Sequence, residues 1–118
     1  MSTVAAKPRI ALIIGSTRKA RFADVPAQWM LKQAQARGDL EVELLDLREF
    51  NLPFFDEVAS SAHIPSSSPE AVRWQQAIAN FDGFIFVVAE YNHSLTGVLK
   101  NAMDQAYAGW SHKPFTAI

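Results

Sequence analysis

The chain has 118 residues, 49% hydrophobic and 19% charged, with a formal net charge of −1 and no cysteine. This length suits one domain over residues 1–118, in the composition range of an ordinary soluble globular protein. The charge excludes a global field toward nucleic acid or an acidic membrane, and the missing cysteines exclude disulfides, thiolate metal sites and a Cys nucleophile.

No apolar run approaches the ~20 residues that span a bilayer. Residues 1–8 are too polar for a signal-peptide core, so the expectation is a cytoplasmic protein. Arg9 to Ile14 is a short apolar run closing on Gly15-Ser16-Thr17-Arg18, which reads as strand then loop. Asp24 to Arg37 has helical periodicity with Val25, Trp29 and Ala36 as its apolar positions, Pro26 in the first turn and Gly38 as the stop. Leu40 to Leu47 alternates apolar with acidic residues, the pattern of an edge strand with one solvated side.

A long connection rich in Pro, Ser and acidic residues runs from Asp46 to Ser68. Ser68-Pro69 then caps a helix that extends to about Asn80. Phe84 to Val88 is apolar without alternation, as in a parallel strand buried on both faces. A helix from about Thr96 to Tyr107 follows, with Leu95, Leu99, Ala102 and Ala106 on its apolar face. Pro114 to Ile118 reads as the opening of a fourth strand.

Strand and helix alternate, which implies an α/β parallel sheet with helices on both faces. A half-solvated second strand beside fully apolar first and third strands fits the order 2-1-3, the start of a flavodoxin-like three-layer sandwich. Such a sheet continues 2-1-3-4 and onward. The expectation is therefore a truncated domain whose final strand and helix are absent from this chain.

Two loops suit an anionic ligand. The first, Gly15 to Phe22, offers Ser16 and Thr17 hydroxyls, the start of a helix, and Arg18, Lys19 and Arg21. It lacks the glycine pattern of a dinucleotide fingerprint and the Lys-Ser/Thr ending of a triphosphate loop. Its plain structural alternative is a solvated basic turn. The second loop, Ala89-Glu90-Tyr91-Asn92 with His93-Ser94, offers a carboxylate, an aromatic face and an amide. In a 2-1-3 sheet both loops fall at the switch point, where a crevice opens.

Gly15-Ser16-Thr17-Arg18 together with Glu90-Tyr91-Asn92-His93-Ser94 and Gly97-Val98-Leu99-Lys100-Asn101-Ala102 resembles the NADPH-dependent FMN reductase family. Asp46-Leu47-Arg48, Leu52-Pro53 and Asp56-Glu57 are similar to it as well. The resemblance implies a flavodoxin-like fold, non-covalent FMN, NAD(P)H as hydride donor, and a homo-dimer or homo-tetramer. It places Ser16, Arg18 and Arg21 at the FMN phosphate, with Thr17 and Phe22 in the same binding loop. Ala89, Glu90, Tyr91 and Asn92 then line the isoalloxazine ring, largely through backbone groups. Two departures stand out: Ala89 replaces the usual proline before Glu-Tyr-Asn, and the family's glycine-rich loop after strand four lies beyond Ile118.

The implied activity is hydride transfer from NAD(P)H to FMN and on to a small-molecule acceptor such as a quinone. The alternatives are an FMN electron carrier without its own NAD(P)H reaction, disfavoured by the near-neutral charge, or a non-catalytic fragment that oligomerises. The cofactor carries the redox chemistry, so no catalytic side chain is expected. His93 and His112 read as structural and His63 as solvent-exposed. Trp29 and Trp74 read as core residues, and Trp110 as core or an oligomer contact.

Overall fold

A computed structural model describes residues 6–118, so the first five residues of the expected domain lie outside the described residues. Strand β1 (Arg9–Ile14) leads to helix α1 (Asp24–Arg37) and strand β2 (Glu41–Asp46). A single 3-10 turn, Leu47–Glu49, opens the long connection to helix α2 (Pro69–Ala79). Strand β3 (Gly83–Val87), helix α3 (Gly97–Asp104), a second 3-10 turn (Ala108–Trp110) and strand β4 (Phe115–Ala117) complete the order. The sheet runs β2-β1-β3-β4 with every pairing parallel. This is the flavodoxin-like arrangement the sequence implied.

Alternation along β1 sends its side chains to two separate cores. Ala11 and Ile13 join Phe84 and Phe86 of β3 beneath α2 and α3, where Trp74 and Ile78 are fully buried. Leu12 and Ile14 join Val87, Ala23 and Ala27 on the α1 side. Trp110 packs edge-on against Phe84 at 4.7 Å, and its indole N–H donates to the carbonyls of Met103 and Ala106. It belongs to the first core.

Helix α1 has the expected limits but a different buried face. Ala23, Ala27 and Ala34 are buried, while Val25 and Trp29 are 60% and 56% exposed and Ala36 faces solvent. Small side chains let α1 settle close on the sheet with Met30 and Leu31 partly buried against the same core, while Val25 and Trp29 are carried outward. Trp29 is therefore not a core residue. Gly38 stops the helix at φ +75°, a left-handed conformation that favours glycine. Helix α3 ends at Asp104, sooner than Tyr107, because the chain tightens into the 3-10 turn that brings Trp110 over the sheet. Leu99, Ala102 and Ala106 are nevertheless buried as expected.

The long connection is tied down at several points. The Asn101 side chain accepts from the Phe55 N–H at 2.9 Å and donates to the Pro53 carbonyl at 2.9 Å, standing in for a strand neighbour. Gln105 donates to the same carbonyl, and Ser61 donates to the carbonyl of Asp104.

Candidate functional site

The carboxyl ends of β1 and β3 lie side by side, and the chain leaves them in different directions. After β1 it crosses toward β2, whereas β3 lies on the opposite side of β1. This is the switch point of the sheet, where the diverging loops leave a crevice. Gly15 N–H donates to the Val87 carbonyl at 2.9 Å, bringing the two loops together at their roots. A side chain on Gly15 would put its Cβ 2.7 Å from that carbonyl oxygen and 2.9 Å from Leu99 Cδ2. Only glycine allows this approach.

Thr96 makes a second link. Its hydroxyl donates to the Gly15 carbonyl and accepts from the Leu99 N–H at 3.2 Å, so one buried side chain caps α3 and anchors the first loop. Between the loops lies a cleft of about 110 Å³ lined by Ser16, Arg18, Arg21 and Phe22 from one side. Val88, Ala89 and Tyr91 line it from the other. The expected binding residues Ser16, Arg18, Arg21, Phe22, Ala89 and Tyr91 are thus in one place.

The other three are not. Thr17 turns to the opposite side of the loop, into a separate 280 Å³ cavity shared with Arg48, Asn51 and Asn101. Glu90 and Asn92 have exposed side chains outside the cleft lining, and the Glu90 carboxylate lies 3.3 Å from His93 Nδ1. Tyr91 to Ser94 forms a tight reversal, closed by reciprocal backbone hydrogen bonds of 3.0 and 3.2 Å. Asn92 and His93 occupy φ +53° and +65°, the mirror-image turn that suits short hairpins.

Tyr91 faces Ser16 and Arg18 across the cleft. Their donor groups hold its phenol below the ordinary value of 10.0. Ser16 is buried at 2% exposure, whereas Arg18 reaches solvent. Among the described residues no carboxylate lies within ion-pair distance of Arg18 or Lys19, and Arg18 lines the cleft as an uncompensated cation.

Arg21 differs from both, and its expected part as a phosphate ligand needs correction. Its Nη1 and Nη2 bond both oxygens of Asp46 at 2.8 and 2.7 Å. Nε and Nη2 bond both oxygens of Asp24 at 3.1 and 2.7 Å, and Nη1 also donates to the Ser16 carbonyl at 2.8 Å. All five N–H donors are therefore used within the protein. Only 4% of the side chain is exposed, against 17% for Asp46 and 52% for Asp24. Arg21 holds Asp46 below the usual carboxylate range, and the two carboxylates push the guanidinium still higher. Arg21 fastens the loop to the end of β2; no N–H is left to grip a ligand.

Asp46 and Arg48, whose motif is visible in the sequence, are further members of the site. Asp46 takes both Arg21 and the backbone N–H of Arg48, the latter at 3.0 Å. The Arg48 guanidinium donates to the carbonyls of Thr17, Arg18 and Lys19. An acidic residue ending a strand, followed two residues later by arginine, was the available signal.

A four-stranded parallel sheet of order 2-1-3-4, with a cationic, hydroxyl-bearing cleft at its switch point, defines the flavodoxin-like class. The family model for NADPH-dependent FMN reductase matches residues 8–118. The chain belongs to that family. It is 38% identical over 116 residues to an NAD(P)H-dependent FMN reductase of a Nectria species, covering 93% of this chain and 58% of the relative. It is 35% identical over 103 residues to a 2-hydroxy-1,4-benzoquinone reductase of a Burkholderia species, covering 86% and 51% respectively. The flavoenzyme NAD(P)H:acceptor oxidoreductase FerB of Paracoccus denitrificans superposes with a TM-score of 0.73 at 26% identity, covering 94% of this chain and 59% of that one. The chain thus spans little more than half the length of the relatives it matches.

Proposed function

We propose that the protein binds FMN in the β1–β3 cleft and transfers electrons from NAD(P)H through it to a small quinone-type acceptor. The observation that carries this reading is the Arg18 cation, without an ion-pair partner among the described residues, beside buried Ser16 in a cleft walled by Tyr91. A phosphate dianion matches that donor set, because hydroxyl, guanidinium and loop N–H groups all donate and none of the described residues lining the cleft is a carboxylate. Ser16 and Arg18 would hold the phosphate. Arg21 would keep the loop in place, and Ala89 and Tyr91 would border the ring.

When bound, FMN supplies the redox chemistry, accepting a hydride equivalent from NAD(P)H and passing electrons on. The chain's residues position it: the short Gly15–Val87 contact fixes the separation of the two loops, and the Tyr91-to-Ser94 turn presents Ala89 and Tyr91 to the cleft. Among relatives, the proteins described as quinone reductases support an acceptor of that class. Cytoplasmic location and a homo-dimer or homo-tetramer belong to the same reading. Among the described residues no helix is long and apolar enough to cross a membrane, and Phe54, Val58 and Ile64 on the long connection expose apolar side chains.

Mixing the FMN-loaded protein with NADPH or NADH under anaerobic conditions tests the activity. Loss of the flavin absorbance bands within seconds, restored by a benzoquinone, is the expected result. A loaded protein whose absorbance is unchanged by either nucleotide is a carrier and not a reductase.

A further inference from the structure

The β1–α1 turn has one cavity on each side. Thr17 and Arg48 line one, and Ser16, Arg18 and Tyr91 line the other. On the first side, a single guanidinium gathers three successive carbonyls. Arg48 Nε donates to Thr17 O at 3.3 Å, while Nη2 donates to Arg18 O and also reaches Lys19 O at 3.4 Å.

A trans peptide is planar, and its carbonyl and N–H point in opposite directions. The carbonyls of Thr17, Arg18 and Lys19 share their peptide planes with the N–H groups of Arg18, Lys19 and Ala20. Drawing those three carbonyls toward Arg48 therefore turns the three N–H groups away from it, toward the Ser16 side. There they are nearly free. Among the described residues the Lys19 and Ala20 N–H groups have no acceptor, and that of Arg18 reaches only Ser16 Oγ at 3.4 Å. Successive N–H groups facing one way form a concave donor set suited to an anion.

We infer that Arg48 is a positioning residue for phosphate recognition: it clamps the carbonyl face of the turn so that the N–H groups of Arg18, Lys19 and Ala20 converge on the ligand's phosphate. Asp46 sets the clamp, since one carboxylate takes Arg21 from the turn and the N–H of Arg48 from the following residues. The guanidinium fork is essential, because an ammonium is a point charge and cannot span three carbonyls in a fixed geometry. The inference rests on the reading that this cleft takes a phosphate.

The test is an amide-resolved NMR titration of the full chain with FMN, riboflavin and inorganic phosphate, on wild type, Arg48→Met and Arg48→Lys. In wild type, FMN and inorganic phosphate are expected to move the Arg18, Lys19 and Ala20 amides together and to saturation. Both variants should need at least about tenfold more of either ligand, with the response of Val88 and Ala89 to riboflavin unchanged. Arg48 is exposed, so amides remote from the turn should be unaltered. Should Arg48→Met disturb them, Arg48→Lys alone decides. Wild-type affinity in Arg48→Lys overturns the clamp, leaving only a charge effect. Wild-type affinity in both removes Arg48 from recognition while the phosphate site stands. Silence of the three wild-type amides toward FMN and inorganic phosphate alike defeats the phosphate reading itself.

Discussion

Arg21→Met should destabilise the protein by about 3 kcal/mol at neutral pH, because it removes all five guanidinium donors and leaves Asp46 partly buried without its counter-ion. The figure sits at the low end for broken buried pairs because Asp24, the second partner, is half exposed. On a stability of roughly 5–15 kcal/mol this is a large loss. Chemical denaturation measures it.

The pH dependence fixes the cause. Asp46 has its native value lowered by Arg21, so the pair's contribution is present in full above the ordinary carboxylate value of 3.8 and fades as pH falls through the lowered native value. In the variant, Asp46 has lost that partner and burial favours its protonated form. The stability gap between wild type and Arg21→Met should therefore narrow on acidification from neutral pH to about pH 3. A gap that is constant with pH would assign the loss to packing and not to the ion pair. Affinity for FMN should fall as well, through a loosened turn and not through a missing phosphate contact.

Gly15→Ala should cost about 2–3 kcal/mol and weaken FMN binding by at least about tenfold. Leu99 Cδ2 is the end of a flexible side chain and moves cheaply, but the Val87 carbonyl belongs to β3 and cannot retreat without opening the sheet. The Gly15 N–H to Val87 bond and the Thr96 bond to the Gly15 carbonyl lengthen together, and the two loops separate. Denaturation midpoints and quenching of flavin fluorescence read the two effects. Unchanged stability in Gly15→Ala would mean that the close approach of β1 and β3 does not shape the site.

Most of the architecture was legible because the sheet writes itself into hydropathy. Arg9–Ile14 and Phe84–Val88 lack alternation since both faces are covered, and Val42 and Leu44 alternate with glutamates since they pack on the α1 side while Glu41 and Glu43 face solvent. The face of α1 was not legible. Val25, Trp29 and Ala36 satisfy the helical period as well as Ala23, Ala27 and Ala34 do. Size argued for the wrong set: the alanines sit at the closest approach to the sheet, and Met30 and Leu31 fill the space beside them.

At the site, the two loops and their meeting point were readable from topology. The division of labour among the basic residues was not. Arg18 and Arg21 are equivalent in sequence, and only the fold brings Asp46, twenty-five residues away, to the second of them. Thr17 faces the wrong cavity for a related reason: the direction of each residue in the turn is set by Arg48 and Asp46, outside the motif that drew attention to it. The left-handed backbone at Asn92 and His93, and with it the outward direction of the Glu90 and Asn92 side chains, has no signal in the Glu-Tyr-Asn motif itself.

Comparing the affinities of FMN and riboflavin for the protein, by fluorescence quenching at equal ionic strength, bears most directly on whether the Ser16–Arg18 turn holds a phosphate. The two ligands share the ring and ribityl chain and differ only in that group. FMN should bind at least about tenfold more tightly, with the preference collapsing in Arg18→Ala. Equal affinities, or a preference that survives Arg18→Ala undiminished, would place the phosphate elsewhere.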